Sequence, residues 1–372
     1  MDGVARLLAS VLASSHSTVQ SPLQDMAEET ADDATREQSP GHPTPAPLQD
    51  VLAQNPLQPD EALRDGDSSY GDVSTSYVTS LRSSIVNYRY KNGRRYHAFH
   101  EGAYLVPNDE EEQDRMDLVH HIYRLVLGGR LYLAPIGDNP QRVLDLGTGT
   151  GIWAMDFADE HPSAEVIGTD LSPIQPKWTP PNCVFEVDDF ESEWVYRRPF
   201  DFIHARELGG CIANEEQLFQ RAFDHLAPGG YIELQAVYTR FVSDDGTAEK
   251  ATHAQRWMKT LCEGMAKFGK PIDNAPLWKE KLRAAGFVDI EEEVLKIPIG
   301  PWPKDRKLRE IGGVQHHQEL QAVDSYTPGI FTRVLSWTEV ETQVFIAKVK
   351  SELKDSSIHL YFPVYFVWGR KP

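Results

Sequence analysis

In the stretch Val143-Leu144-Asp145-Leu146-Gly147-Thr148-Gly149-Thr150-Gly151, an apolar strand carrying an acid runs into a turn with glycine at every second position. A helical pattern follows, with Ile152, Trp153, Met155 and Phe157 as its apolar members. Glycines at this spacing let the backbone turn sharply and leave no side chain where a ligand must lie against the loop. Such turns sit at the carboxyl end of the first strand of an open α/β sheet, where these folds bind nucleotides. A dinucleotide fingerprint, G-x-G-x-x-G, needs glycine at position 152, and Ile152 stands there. Asp145, two residues before the first glycine, suits an ammonium group and would sit badly beside a pyrophosphate.

Outward from the turn, short strands alternate with helices, the signature of a parallel sheet covered on both faces. Strands are expected at 142–146, 165–169 (ending at Asp170), 184–187 (ending at Asp188 and Asp189), 200–204 and 231–238. Helices are expected at 151–160 and 215–226, then at 253–267 and 277–285. Two further strand-like runs, 288–297 and 360–368, close the chain. The residues between them, 299–357, exceed what a sheet needs and read as a helical cap over its carboxyl edge. Within the cap, Ser336-Trp337-Thr338-Glu339 has capping-box spacing, and Trp337, Val340, Val344 and Ala347 form the expected inward face. Upstream, 110–127 is an amphipathic helix (Met116, Val119, Tyr123, Val126) placed to pack on the same edge.

Composition bounds the rest. Of 372 residues, the first sixty-nine hold twelve acids against Arg6, Arg36 and Arg64, close to half of the net charge of −19. Prolines punctuate this stretch and apolar residues are few after Leu12, so residues 1–69 read as a disordered acidic tail. Residues 70–372 are enough for one well-buried domain. Asp2 spoils the basic region a signal peptide needs, and a short fraying helix is the simpler reading of Val4 to Leu12. No apolar run reaches the roughly eighteen residues of a membrane span. Cys183, Cys211 and Cys262 lack C-x-x-C spacing, which fits a reducing compartment and argues against a disulfide framework or a zinc site. The pairs His120-His121 and His316-His317 fall on different helix faces, so no metal is expected. The acidic balance argues against nucleic acid as a substrate.

The acid ahead of G-x-G-x-G resembles the first motif of the class I S-adenosylmethionine methyltransferases, and acids end three successive strands. That ligand presents an ammonium–carboxylate pair, a ribose diol and an adenine. Asp145 suits the ammonium group, while Gly147, Gly149 and Gly151 allow close backbone approach. Asp170 can accept both ribose hydroxyls, with Leu171 beside it. Asp189 is placed for the adenine amino group and the Phe190 N–H for a ring nitrogen. Asp188 reads as a solvated cap. His204, at the end of the fourth strand, is expected under the methionine portion.

From about Tyr88 onward the chain resembles the LaeA-like methyltransferases of filamentous fungi. The shared runs are Asn92-Gly93-Arg94-Arg95-Tyr96-His97 and Pro107-Asn108-Asp109-Glu110-Glu111-Glu112-Gln113-Asp114-Arg115. They continue with Asp145 to Trp153 and with Leu171-Ser172-Pro173-Ile174-Gln175-Pro176. The resemblance implies a class I Rossmann-like α/β fold and S-adenosylmethionine as cofactor. Some members regulate secondary metabolism in the nucleus with protein partners; others methylate small metabolites. The regulator type usually has cysteine where this chain has Thr148, which tilts the expectation toward a small-molecule acceptor and a cytoplasmic location. A nuclear regulator is the alternative. No Lys/Arg run marks nuclear import.

Methyl transfer from a sulfonium requires alignment and exclusion of water. An acceptor bearing a proton also needs a base. His204 and His316 are the expected catalytic residues, with Glu207 and His317 as further candidates. Tyr96, His97 and Tyr104 are expected as a lid or as ordinary packing of an N-terminal arm.

Overall fold

The computed structural model describes residues 56–60, 89–91, 94–96 and 105–372, all within a unit spanning Pro47–Pro372. A small antiparallel hairpin, β1 (Arg89–Lys91) and β2 (Arg94–Tyr96), precedes the main sheet. The sheet holds β3 (Arg142–Leu146), β4 (Glu165–Asp170), β5 (Cys183–Val187), β6 (Phe200–Arg206), β7 (Leu226–Val237), β8 (Val288–Ile299) and β9 (Leu360–Arg370). Their order is β5-β4-β3-β6-β7-β9-β8, with β9 antiparallel to both neighbours and the other pairings parallel. Chain order reverses between β4 and β6, on either side of β3. This switch point opens a crevice at the carboxyl end of β3, which is where the glycine turn begins.

The apolar content of β3 and β6 follows from burial on both faces: Val143, Leu144, Phe202 and Ile203 have no exposed surface. Helix α1 (Glu110–Val126) starts at Asp109, whose carboxylate accepts the Glu112 N–H at 3.1 Å. Helix α2 (Ile152–Glu160) leaves the glycine turn and buries Trp153, Ala154, Phe157 and Ala158 against the sheet. Helix α3 (Glu215–His225) is capped by Asn214. Glu233 on β7 ties down the chain ahead of β3, accepting the Leu133 and Ala134 N–H groups at 2.8 and 2.6 Å. Helices α4 (Thr252–Phe268), α5 (Trp278–Ala284), α6 (Arg306–Arg333) and α7 (Glu339–Leu353) complete the architecture.

Helices α1, α4, α6 and α7 form a roof over the carboxyl edge. Tyr123, Trp257, Val323, Phe331, Phe345, Ile346 and Val349 share one apolar cluster with Phe362 and Phe366 of β9. Helix α6 runs 28 residues despite an internal Pro328. Glycine lets it approach neighbouring backbone at both ends. A Cβ at Gly312 would lie 2.1 Å from the Gly300 carbonyl oxygen, and one at Gly329 would lie 2.5 Å from that of Leu105.

Two expectations for the cap need correction. Helix α7 is capped by Thr338, not Ser336: the Thr338 hydroxyl accepts the Glu341 N–H while the Glu341 carboxylate accepts the Thr338 N–H. Starting the helix two residues later also moves its inward face. Thr342, Phe345, Ile346, Val349 and Leu353 are buried, whereas Val340 and Val344 are exposed.

The acidic tail expected over 1–69 lies mostly outside the described residues, but its stretch 56–60 is bound to the cap. Pro59 bridges to Pro303, the Asp60 N–H donates to the Trp302 carbonyl at 2.7 Å, and the Asp60 carboxylate pairs with Arg309. Edge backbone at 302–304 offers hydrogen bonds that composition does not reveal, and they hold this short run without a core of its own.

Candidate active site

The strand ends and the roof enclose one cavity of about 250 Å³. Its floor is the glycine turn. Gly147, Gly149 and Gly151 have φ of +61°, +59° and +82°, a region costly for any side chain. A Cβ at Gly147 would lie 2.4 Å from Leu208 Cδ2, and one at Gly151 would lie 2.3 Å from the Phe185 ring. Backbone conformation and space both favour glycine at 147 and 151; at 149 conformation alone does, the nearest atom to a Cβ being Met116 Sδ at 3.3 Å.

Asp145 is buried, with both oxygens engaged: the Thr148 hydroxyl donates to one at 2.6 Å and His204 Nδ1 to the other at 2.7 Å. Asp170 accepts the Gly149 N–H at 2.9 Å and the Ser172 N–H at 2.8 Å, leaving each oxygen a further lone pair. Burial pushes its carboxyl up to about 6 against the opposing pull of those N–H groups. Leu171, Asp189 and Phe190 line the same wall, the last buried beside Gly147. The Asp189 carboxylate also accepts the Glu191 N–H at 2.9 Å. Asp188, read as a solvated cap, accepts the N–H of Asp189 at 2.8 Å.

His204 lines the cavity beside Asp145, but its ring is held in place by packing. It has no exposed surface, its ring stacks on Trp153 at 3.7 Å between centroids and 4° between planes, and burial pulls its pKa down. With Nδ1 turned to Asp145, the ring holds that carboxylate in place, while Nε2 lies toward Gln235. His316 is also misplaced as a catalytic residue. It lies on the far side of α6, near the Leu353 carbonyl of α7, and is absent from the cavity wall. The face of α6 that does line the cavity carries Gln315, Gln318, Glu319, Ala322 and Tyr326. These positions follow helical spacing, but their polar character hides the stripe from a search for apolar periodicity. His317 is exposed.

Beyond the end of β6 stands Glu207, with φ of +56°. A non-glycine residue in the left-handed region stores strain that the surrounding fold must hold. One Glu207 oxygen accepts the Tyr123 hydroxyl and the Val237 N–H, the latter at 3.1 Å. Burial raises its pKa and drives the Tyr123 phenol well above its ordinary value, with Glu207 adding to the latter shift. Beside this pair, Arg115 is held by Glu112 through contacts of 2.6, 3.0 and 3.1 Å, with both side chains buried.

A methyltransferase-domain model matches residues 118–292. Methyltransferase pytC of Aspergillus terreus is 43% identical over 298 residues, which is 80% of this chain and 92% of that protein. The secondary metabolism regulator LAE1 of Cochliobolus heterostrophus is 35% identical over 289 residues, 76% of this chain and 94% of that one. The probable methyltransferase tdiE of Emericella nidulans is 34% identical over 274 residues, 73% of this chain and 86% of that one. The chain belongs to the LaeA-like methyltransferases. It is an S-adenosylmethionine-dependent methyltransferase of fungal secondary metabolism.

The site fits the cofactor of this family. A Cβ-free cradle at Gly147, acids at the ends of β3 and β4, and the Asp189–Phe190 wall offer partners for its ammonium, ribose and adenine groups. The family's shared runs also gain physical meaning. Gln175, in the run after β4, donates its amide to the Gly149 carbonyl at 2.7 Å and to the Ser172 carbonyl at 2.9 Å, locking the glycine turn to the strand that carries Asp170. Arg94 clamps Asp109, and Arg95 reaches the Asn108 carbonyl at 2.6 Å and Glu110 at 2.7 Å. These contacts brace Asn108, whose buried amide donates to the Ser172 hydroxyl at 3.2 Å at the cavity wall. Tyr96, a suggested lid residue, is buried beneath Arg333 of α6. His97 and Tyr104 lie outside the described residues.

Proposed function

We propose that this enzyme methylates a small molecule held between the strand ends and the roof. The observation that carries the reading is continuity. One cavity joins the glycine turn to the polar face of α6, and Glu207 stands between them. When bound, S-adenosylmethionine supplies the methyl group on a cationic sulfur. Asp170, Asp189 and the glycine turn hold it, while His204 and Thr148 fix the orientation of Asp145. Glu207 takes the acceptor's proton at the carboxyl oxygen that has no donor among the described residues; Tyr123 and the Val237 N–H hold the other. Val119, Ile122, Trp257, Leu261 and Phe362 exclude water from the acceptor half.

The family's regulators make a protein acceptor the rival reading. The test is to incubate the full chain with methyl-labelled cofactor and a metabolite extract of the source fungus lacking the gene. Label in a low-mass product other than the cofactor, absent without enzyme, is expected; label transferred to protein alone would overturn the proposal. We further propose a cytoplasmic location, supported by three unpaired cysteines whose thiols burial raises to about 12, 12 and 11. A fluorescent fusion concentrated in the nucleus would contradict it.

A further inference from the structure

The acceptor half of the cavity carries acids that lack cations. Glu319 is buried and Glu207 half-buried at the cavity wall, and neither takes part in an ion pair among the described residues. Among the described residues their hydrogen-bond donors are neutral: the Tyr123 hydroxyl and Val237 N–H for Glu207, and the Gln315 amide at 3.2 Å for Glu319. Each keeps one carboxyl oxygen that none of the described residues satisfies.

The nearby cations are committed elsewhere. Arg115 attracts both acids from a distance but is gripped by Glu112 and lies over the Tyr326 ring at 4.9 Å. Arg206 lies over the Tyr123 ring at 5.3 Å, with a guanidinium nitrogen 3.1 Å from His120 Nδ1. Lys270 pairs with Glu191 at 2.7 Å. Leaving a buried carboxyl and a half-buried one without a cation is expensive unless they stay protonated or a ligand brings the charge. Burial raises Glu319 to about 8, so at neutral pH it is poised to ionise when a positive charge approaches.

The placement of Glu319 separates its ligand from the cofactor. It projects from α6 in the roof, whereas Asp145 and Asp170 stand at the ends of β3 and β4. The cofactor's ammonium group has its own acid in Asp145. Tyr123, Tyr326 and Trp257 add aromatic surface to the same half of the cavity, and ring faces attract cations.

We propose that the methyl acceptor carries a basic nitrogen, bound as a cation by Glu319 with Glu207 facing it across the cavity. This rests on the small-molecule reading above and names the acceptor's chemical class. It concerns recognition, so the nitrogen need not be the atom that receives the methyl group.

The labelled product of the extract assay, first separated from the unreacted cofactor (itself a labelled cation), is passed over a cation exchanger at acidic pH, where amines are retained and phenols, acids and esters are not. Retention of the label is expected. A labelled product in the flow-through overturns this inference and leaves the small-molecule reading intact, while the lack of any labelled low-mass product besides the cofactor sinks the reading itself. In a second arm, Glu319→Gln keeps the shape of the protonated side chain and therefore its fold. It should raise the extract acceptor's KM about tenfold or more, as expected for a lost charge-assisted bond, with kcat and cofactor affinity nearly unchanged. Glu319→Asp should recover part of that loss. An unchanged KM in Glu319→Gln overturns the assignment.

Discussion

At the scale of single residues, the cofactor half of the site divides between groups that touch the ligand and groups that aim them. Asp170 has oxygens with lone pairs to spare at the end of β4; Asp145 is fixed by Thr148 and His204 before any ligand arrives. Asp170→Ala should therefore weaken cofactor binding by about 1.5–3 kcal/mol, the range for hydrogen bonds to a charged group. Isothermal titration with the demethylated product, S-adenosylhomocysteine, measures this directly, and an unchanged affinity would remove Asp170 from the site. These acids are legible in the sequence because a strand end next to a glycine turn is a place with few structural uses for a carboxylate. The fate of His204 was not legible. Its position on β6 is plain, but the stack on Trp153 that holds its ring in place depends on a helix rotation no local pattern encodes.

At the scale of elements, the strands of the sheet follow from the sequence to within a few residues, whereas α6 does not. It contains Pro328, two paired glycines and a wet face, features that ordinarily end a helix or mark a loop. The fold tolerates them because Gly312 and Gly329 let α6 lie directly against neighbouring backbone. The same helix moves the expected site residue of the cap: His316 gives way to Glu319, Gln318 and Tyr326. Trp302 is buried, its indole N–H donating to the Leu360 carbonyl at 3.2 Å and its ring beside His359. Trp302→Ala should cost about 3–5 kcal/mol of stability, typical of truncating a buried aromatic, while the folded fraction turns over normally. Denaturant unfolding alongside turnover assays distinguishes the outcomes; a raised acceptor KM at full stability would place Trp302 in the pocket.

At the scale of the whole molecule, buried acids set the pH dependence of stability. Glu319, Glu233 and Asp170 rise to about 8, 7 and 6 from ordinary values of 4.5, 4.5 and 3.8. Between those limits the folded chain holds more protons than the unfolded chain. The stability these groups contribute is full at acid pH and is lost as pH rises toward 8. The Tm of the ligand-free protein should fall from pH 6 to pH 8, and Glu319→Gln should flatten that fall. Calorimetry that finds Tm rising across the interval would contradict the burial assigned to these carboxyls.

The central claim is that the crevice at the end of β3 is built for S-adenosylmethionine. Titrating the purified chain with this ligand, and separately with NADH, tests it most directly. The glycine cradle and the acids at 145, 170 and 189 predict saturable heat with S-adenosylmethionine and none with NADH. Heat with NADH and none with S-adenosylmethionine would contradict the account.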